Sequence, residues 1–137
     1  MTRPVPSIEE GATETREDTR TLHYLLRLPQ PVDKVWAAVA TPEGLRGWLA
    51  AVEVFEPRLG GAVALHGLGS GRITAWDVER VAEYTVEGRV RFHLEPGVPD
   101  GTTVRFTHAY EGEREPPGWR ARFERLLDVL TASQDRS

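Results

Sequence analysis

The spacing of apolar residues changes twice along this chain, and that change limits the folds open to it. From Val52 to Tyr110 they recur at every second position, in VEVFEP, AVALH, GRITAW, RVAEYTV, RVRFHL and TTVRFTHAY. Such alternation gives strands with one apolar face. Short connections join them at Leu59-Gly60-Gly61, Asp77-Val78-Glu79 and Glu87-Gly88, so neighbouring strands pair antiparallel. Upstream, TLHYLLRL places Leu22, Tyr24, Leu26 and Leu28 on one face of another strand. Two short helices follow. Val32, Val35, Trp36 and Val39 form an i, i+3, i+4, i+7 stripe. Thr41 suits an N-cap, with Pro42 in the first turn and Glu43 at the positive end of the dipole. Gly44 and Gly47 keep this second helix short. After Pro117 the period is helical again, with Trp119, Phe123, Leu126, Leu127 and Leu130 on one face.

An open antiparallel sheet has an apolar face that needs cover, and the terminal helix is the natural cover. The expected fold is α+β: a curved antiparallel sheet wrapped around a long C-terminal helix, with two short helices after the first strand. The 137 residues suit one domain, with the folded unit at 21–132. Residues 1–20 are polar, carry both charge signs and lack a period, so they read as a disordered tail. Residues 133–137 read as a flexible end.

Composition narrows the function. A net charge of −4 does not favour nucleic acid or an anionic membrane. No apolar run is long enough for a transmembrane span, and the N-terminus has no apolar signal core, so the expected location is cytoplasmic. With no cysteine there is no disulfide and no thiolate. The four histidines are not paired at helical or hairpin spacing, so no metal is expected. There is no Gly-x-Ser-x-Gly; Ser70 lies in the glycine-rich HGLGSGR, which is similar to a phosphate loop but joins antiparallel strands and opens no helix. No cofactor is expected.

Strand parity singles out His108. A hairpin turning within EPGVPDG puts Phe92 and Phe106 on one face, His108 with them and His93 opposite. An inward imidazole can orient a ligand or move a proton near neutral pH. The competing reading is a core histidine bonded to a backbone group or a tyrosine. Trp48, Tyr84, Phe92, Phe106, Trp119 and Phe123 are either core or the wall of a site, since ligand pockets are mostly apolar with few polar groups. Alternation around Ile73 leaves open whether Arg72 and Thr74 face a cavity or solvent.

Several strings together resemble the SRPBCC or START-like superfamily, in its activator of Hsp90 ATPase homologue-like (AHSA1-type) branch. They are Pro31 to Trp36 opening the first helix, Thr41 to Trp48 after it, Arg58-Leu59-Gly60-Gly61 before a strand, Thr107-His108 ending the last strand, and Gly118-Trp119 opening the last helix. The resemblance implies a helix-grip fold with a pocket between the long helix and the sheet. It implies a small hydrophobic or polycyclic ligand and no single activity. Relatives also include polyketide cyclases or dehydratases, natural-product resistance proteins and Hsp90 co-chaperone modules, and a monomer or homodimer fits all of these. An enzyme needs a second polar group beside His108, such as Tyr84 or Arg72. The segment LHGLGSG is short where some relatives carry more bulk, which opens one pocket edge. With the glycines at 44, 47, 67, 69 and 71, it leads to an asymmetric expectation. Trp119 and Phe123 should border ligand space beside Trp48 and His108, while Leu127 and Leu130 pack as core.

Overall fold

The computed structural model describes residues 6–86, 88–97, 101–111 and 118–135. In chain order the elements are β1 (Ser7–Glu10), β2 (Glu14–Arg16), β3 (Thr19–Leu28), α1 (Val32–Val39), α2 (Pro42–Trp48), β4 (Val52–Phe55), β5 (Ala62–Leu65), β6 (Gly69–Asp77), β7 (Val81–Thr85), β8 (Arg89–Pro96), β9 (Thr102–Glu111) and α3 (Trp119–Asp135). The described strands form one antiparallel sheet in the order β1-β3-β9-β8-β7-β6-β5-β4, with β2 also on β3. The sheet is curved and unclosed, and α3 lies along it: the helix-grip arrangement.

The register sorts the inner face into cross-strand rows. One runs Trp76, Ala82, Phe92, Phe106, Tyr24; the next runs Ile73, Tyr84, Val90, His108, Leu22. Bulges in β4 at Val52/Val54 and in β6 at Ile73/Ala75 interrupt the pairing. A bulge bends its strand and raises the local twist, which helps the sheet curl. The β6 bulge also shifts the parity. Ile73 and Trp76 both face inward, whereas Arg72 and Thr74 are exposed. That settles the open question about Arg72 and Thr74: both belong to the outer face.

α1 and α2 are locked together by side-chain donors at the end of α1. A helix leaves its last carbonyls without partners. Here three successive carbonyls are satisfied in turn. Ala37 O accepts from Thr41 Oγ1 (2.6 Å), Ala38 O from Trp48 Nε1 (2.8 Å) and Val39 O from Tyr84 Oη (2.8 Å). Thr41 also caps α2, accepting from the Gly44 amide at 3.0 Å.

Three expectations are corrected. The stretch read as a disordered tail carries β1 and β2, which pair with β3 from Ser7↔Arg27 to Arg16↔Thr19. Backbone hydrogen bonds along an open sheet edge require no apolar alternation, and only Ile8 packs against the core. The β2–β3 turn lacks glycine, placing Glu17 at φ 56°. At the other end, α3 continues through Asp135 where a flexible end was expected; residues 136 and 137 lie outside the described residues. LHGLGSG is short, as expected, and no long loop opens there: Leu65 pairs with Gly69, so the turn is His66 to Leu68. Nor do the glycines leave a common gap. A Cβ on Gly44 would lie 2.0 Å from Ala37 O, and one on Gly71 would lie 1.8 Å from Thr85 O. These two positions let backbones approach closely.

Candidate functional site

All seven residues singled out for the inner face are buried and in one cluster. Trp48, Tyr84, Phe92 and Phe123 have no exposed surface, Phe106 has 1%, Trp119 2% and His108 4%. Phe92 and Phe106, paired directly across β8 and β9, have ring centroids 5.1 Å apart. Phe106 meets Trp119 at 4.5 Å and Phe123 at 4.9 Å, both from α3. Trp48 reaches Phe92 and Phe123 at about 6 Å from the α2 side. Tyr84 touches Phe92 at 6.3 Å. Such pairs contribute about 0.5–1.5 kcal/mol each beyond area burial.

The expected asymmetry along α3 is reversed. Trp119 and Phe123 are packed within the ring cluster, whereas Leu127 is only partly buried; Leu130 is core as expected. The aromatic rings interdigitate across the sheet's curve and occupy the space assigned to a ligand. On the helical wheel Leu127 falls to the flank of the stripe that Trp119, Phe123, Leu126 and Leu130 define.

His108 anchors the N-terminal end of this cluster. Trp119 donates its indole N–H to His108 Nδ1 at 3.0 Å. Indole nitrogen only donates, so Nδ1 carries no proton and the neutral ring is the Nε2–H tautomer. His93 faces the other way, as parity requires. The two groups that an enzyme reading pairs with His108 are engaged elsewhere. Tyr84 sits two strands away in the same row, about 10 Å at ordinary strand spacing, and donates to Val39. Burial pushes its phenol far above its usual range. Arg72 lies outside, within 3.3 Å of Gly60 O.

Sequence reasoning missed four aromatic contributors. Tyr24 packs on Phe123 at 5.2 Å and Phe106 at 6.1 Å. Trp76 joins Trp36 (5.1 Å) and Phe55 (6.1 Å), and Phe55 extends the chain of rings to Tyr84. The alternation that placed Tyr24 inward could have added it to the site; Trp76 was hidden by the bulge. Glu83 was also missed. It is buried on the outer face, accepting from Thr74 Oγ1 at 2.7 Å and lying 3.4 Å from Arg91.

Charge is uneven around the start of α3. Arg120 lies 3.6 Å from Glu10 of β1. Burial raises the Tyr24 phenol pKa, and Glu10 adds to the shift. Arg122 points to the other flank, with its guanidinium carbon 6.0 Å from the Trp119 ring centroid. A separate groove of about 520 Å³ lies where β3, β7, β8 and β9 end, lined by Thr19, Thr85, Arg89, Ala109 and Glu111 among others. Among the described residues, no three metal-ligating side chains lie together, and no helix is long and apolar enough to cross a membrane.

The fold and its aromatic interior define a helix-grip protein. The chain belongs to the family described as Activator of Hsp90 ATPase homolog 1-like protein, which it matches over residues 29–133. No curated protein sequence matches it. Among solved structures it is similar to CalU16 from Micromonospora echinospora, with a TM-score of 0.75 and 24% identity over 95% of this chain and 90% of that one. A conserved protein of unknown function, EF2215 from Enterococcus faecalis, gives 0.76 and 17% over 89% and 77%. DynU16, a putative protein in the dynemicin biosynthetic locus, gives 0.65 and 20%, covering 86% of this chain and 49% of that one. At these identities the likeness establishes the fold.

Proposed function

We propose that this protein binds a small hydrophobic, polycyclic molecule between α3 and the sheet, in contact with Trp48, Tyr84, Phe92, Phe106, His108, Trp119 and Phe123. One observation carries the reading: aromatic rings are concentrated on the first two turns of α3 around one buried polar pair, His108 and Trp119. The second half of the helix stripe is aliphatic, with Leu126 and Leu130. Flat rings around few polar groups suit flat apolar ligands. DynU16's place in the dynemicin biosynthetic locus agrees with a small-molecule ligand.

The rings are packed against one another, so binding displaces them. Trp119 is the ring to move, because it stands on the first turn of α3 and one hydrogen bond ties it to the sheet. Lifting it exposes Phe106 and Phe123. Phenylnaphthylamine, a neutral fluorescent polycycle, tests the reading. Saturable binding should quench tryptophan emission and raise Tm, and Phe123→Trp should weaken it by adding bulk. Absence of saturable binding and of any thermal shift up to the solubility limit would remove the proposal.

A further inference from the structure

Among the described residues, Arg122 is the cationic side chain on α3 with a buried nitrogen that the packing leaves unexplained. It is half-buried, and its Nη1 has no solvent contact and no hydrogen-bond partner among the described residues. Its aromatic neighbour is Trp119, at 6.0 Å. Buried donors are almost always paired, and leaving a charged one unpaired is costly. Arg120, two residues earlier, lies 3.6 Å from Glu10. Among the described residues, no carboxylate pairs with Arg122.

The surroundings add to the deficit. The first turn of α3 has no acidic residue, although a helix N-terminus favours negative charge. Arg125, one turn on, repels Arg122; burial first and this repulsion second lower the Arg122 pKa. Position also matters. Arg122 and Val129 are seven residues apart and share a flank of α3, and Val129 is the side chain nearest Gly47 of α2. Arg122 therefore stands about 10 Å along the axis from Val129, and its guanidinium lies beside the indole that closes the aromatic cluster.

We infer that Arg122 is the anion-recognition residue of the interior site, and that the ligand is a polycycle bearing an acidic oxygen group, a carboxylate, sulfonate or ionised phenol. The inference rests on the proposed binding function. The guanidinium fork matches paired oxygens, and the site has no other cation beside Trp119 among the described contacts. A ligand oxygen there supplies the missing acceptor while its rings displace Trp119.

Two dyes with the same aromatic skeleton separate the possibilities: anilinonaphthalene sulfonate, which is anionic, and neutral phenylnaphthylamine. Each is titrated into the wild-type protein, Arg122→Met, Arg122→Gln and Arg120→Met, all checked for a cooperative melt. The wild type should bind the sulfonate at least about tenfold more tightly than the neutral dye, the scale of one charge-assisted hydrogen bond. Both Arg122 variants should lose that preference while holding the neutral dye within about twofold. Arg120→Met should keep it, and Arg122→Met should melt no lower than the wild type. Equal sulfonate binding by wild type and both Arg122 variants overturns this inference alone. Loss of the preference in Arg120→Met as well overturns it in favour of general electrostatic attraction. If the wild type binds neither dye, the binding function fails and this inference falls with it.

Discussion

Tyr84→Phe removes one oxygen and leaves the ring in place, so it isolates the bond between the sheet and the end of α1. In the wild type that hydroxyl donates to Val39 O at 2.8 Å, and both residues have no exposed surface. No other donor to this carbonyl is present among the described residues, and α1 has only eight residues. Leaving a buried carbonyl unpaired costs about 1–3 kcal/mol. Centred near 2 kcal/mol, and at about 3–5 °C per kcal/mol for a chain of this size, Tm should fall by about 6–10 °C. Urea unfolding should give a lower midpoint with an unchanged m-value. The same hydroxyl makes a pH prediction. Burial raises the Tyr84 pKa, so above about pH 10 the unfolded chain loses a proton that the folded chain keeps. Stability is therefore fully present below pH 10 and declines as pH rises beyond it. Tyr84→Phe should flatten that decline, with Tyr24 supplying a residual slope. A loss below about 0.5 kcal/mol at neutral pH with an unaltered alkaline slope would refute the role given to this bond.

Gly71→Ala should be among the most damaging single-methyl changes, because its Cβ would lie 1.8 Å from Thr85 O in the adjoining strand; poor soluble yield or a Tm drop of many degrees is expected, and a wild-type melt would contradict the close approach. A chain shortened to begin at Arg20 should melt several degrees lower, since it loses β1, β2 and the Glu10–Arg120 contact; an unchanged melt would return residues 7–16 to the status of a tail. Trp36→Ala, at a residue 9% exposed and packed edge-on against Trp76, should cost about 3–5 kcal/mol. Near-normal urea stability would place Trp36 outside the core.

The sequence by itself determined what depends on neighbours along the chain. Alternation is local, so the inward set of Phe92, Phe106 and His108 and the outward position of His93 followed from parity alone. Capping is local too, so Thr41 with Pro42 marked the start of α2. The stripe on α3 named four residues that face the sheet, Trp119, Phe123, Leu126 and Leu130, together with Leu127 on its flank. Tertiary structure decided everything that depends on distance across strands. A single bulge in β6 turned Trp76 inward, against the alternation of its own strand. Strand order brought Tyr84 to a carbonyl 45 positions away. The N-terminal segment became strand because β3 offered an unpaired edge, a backbone property that side-chain pattern does not encode. The curvature of the sheet filled the expected space with rings and left Arg122 beside them with no carboxylate among the described residues, because whether a buried charge finds a partner is settled only when all the elements have packed.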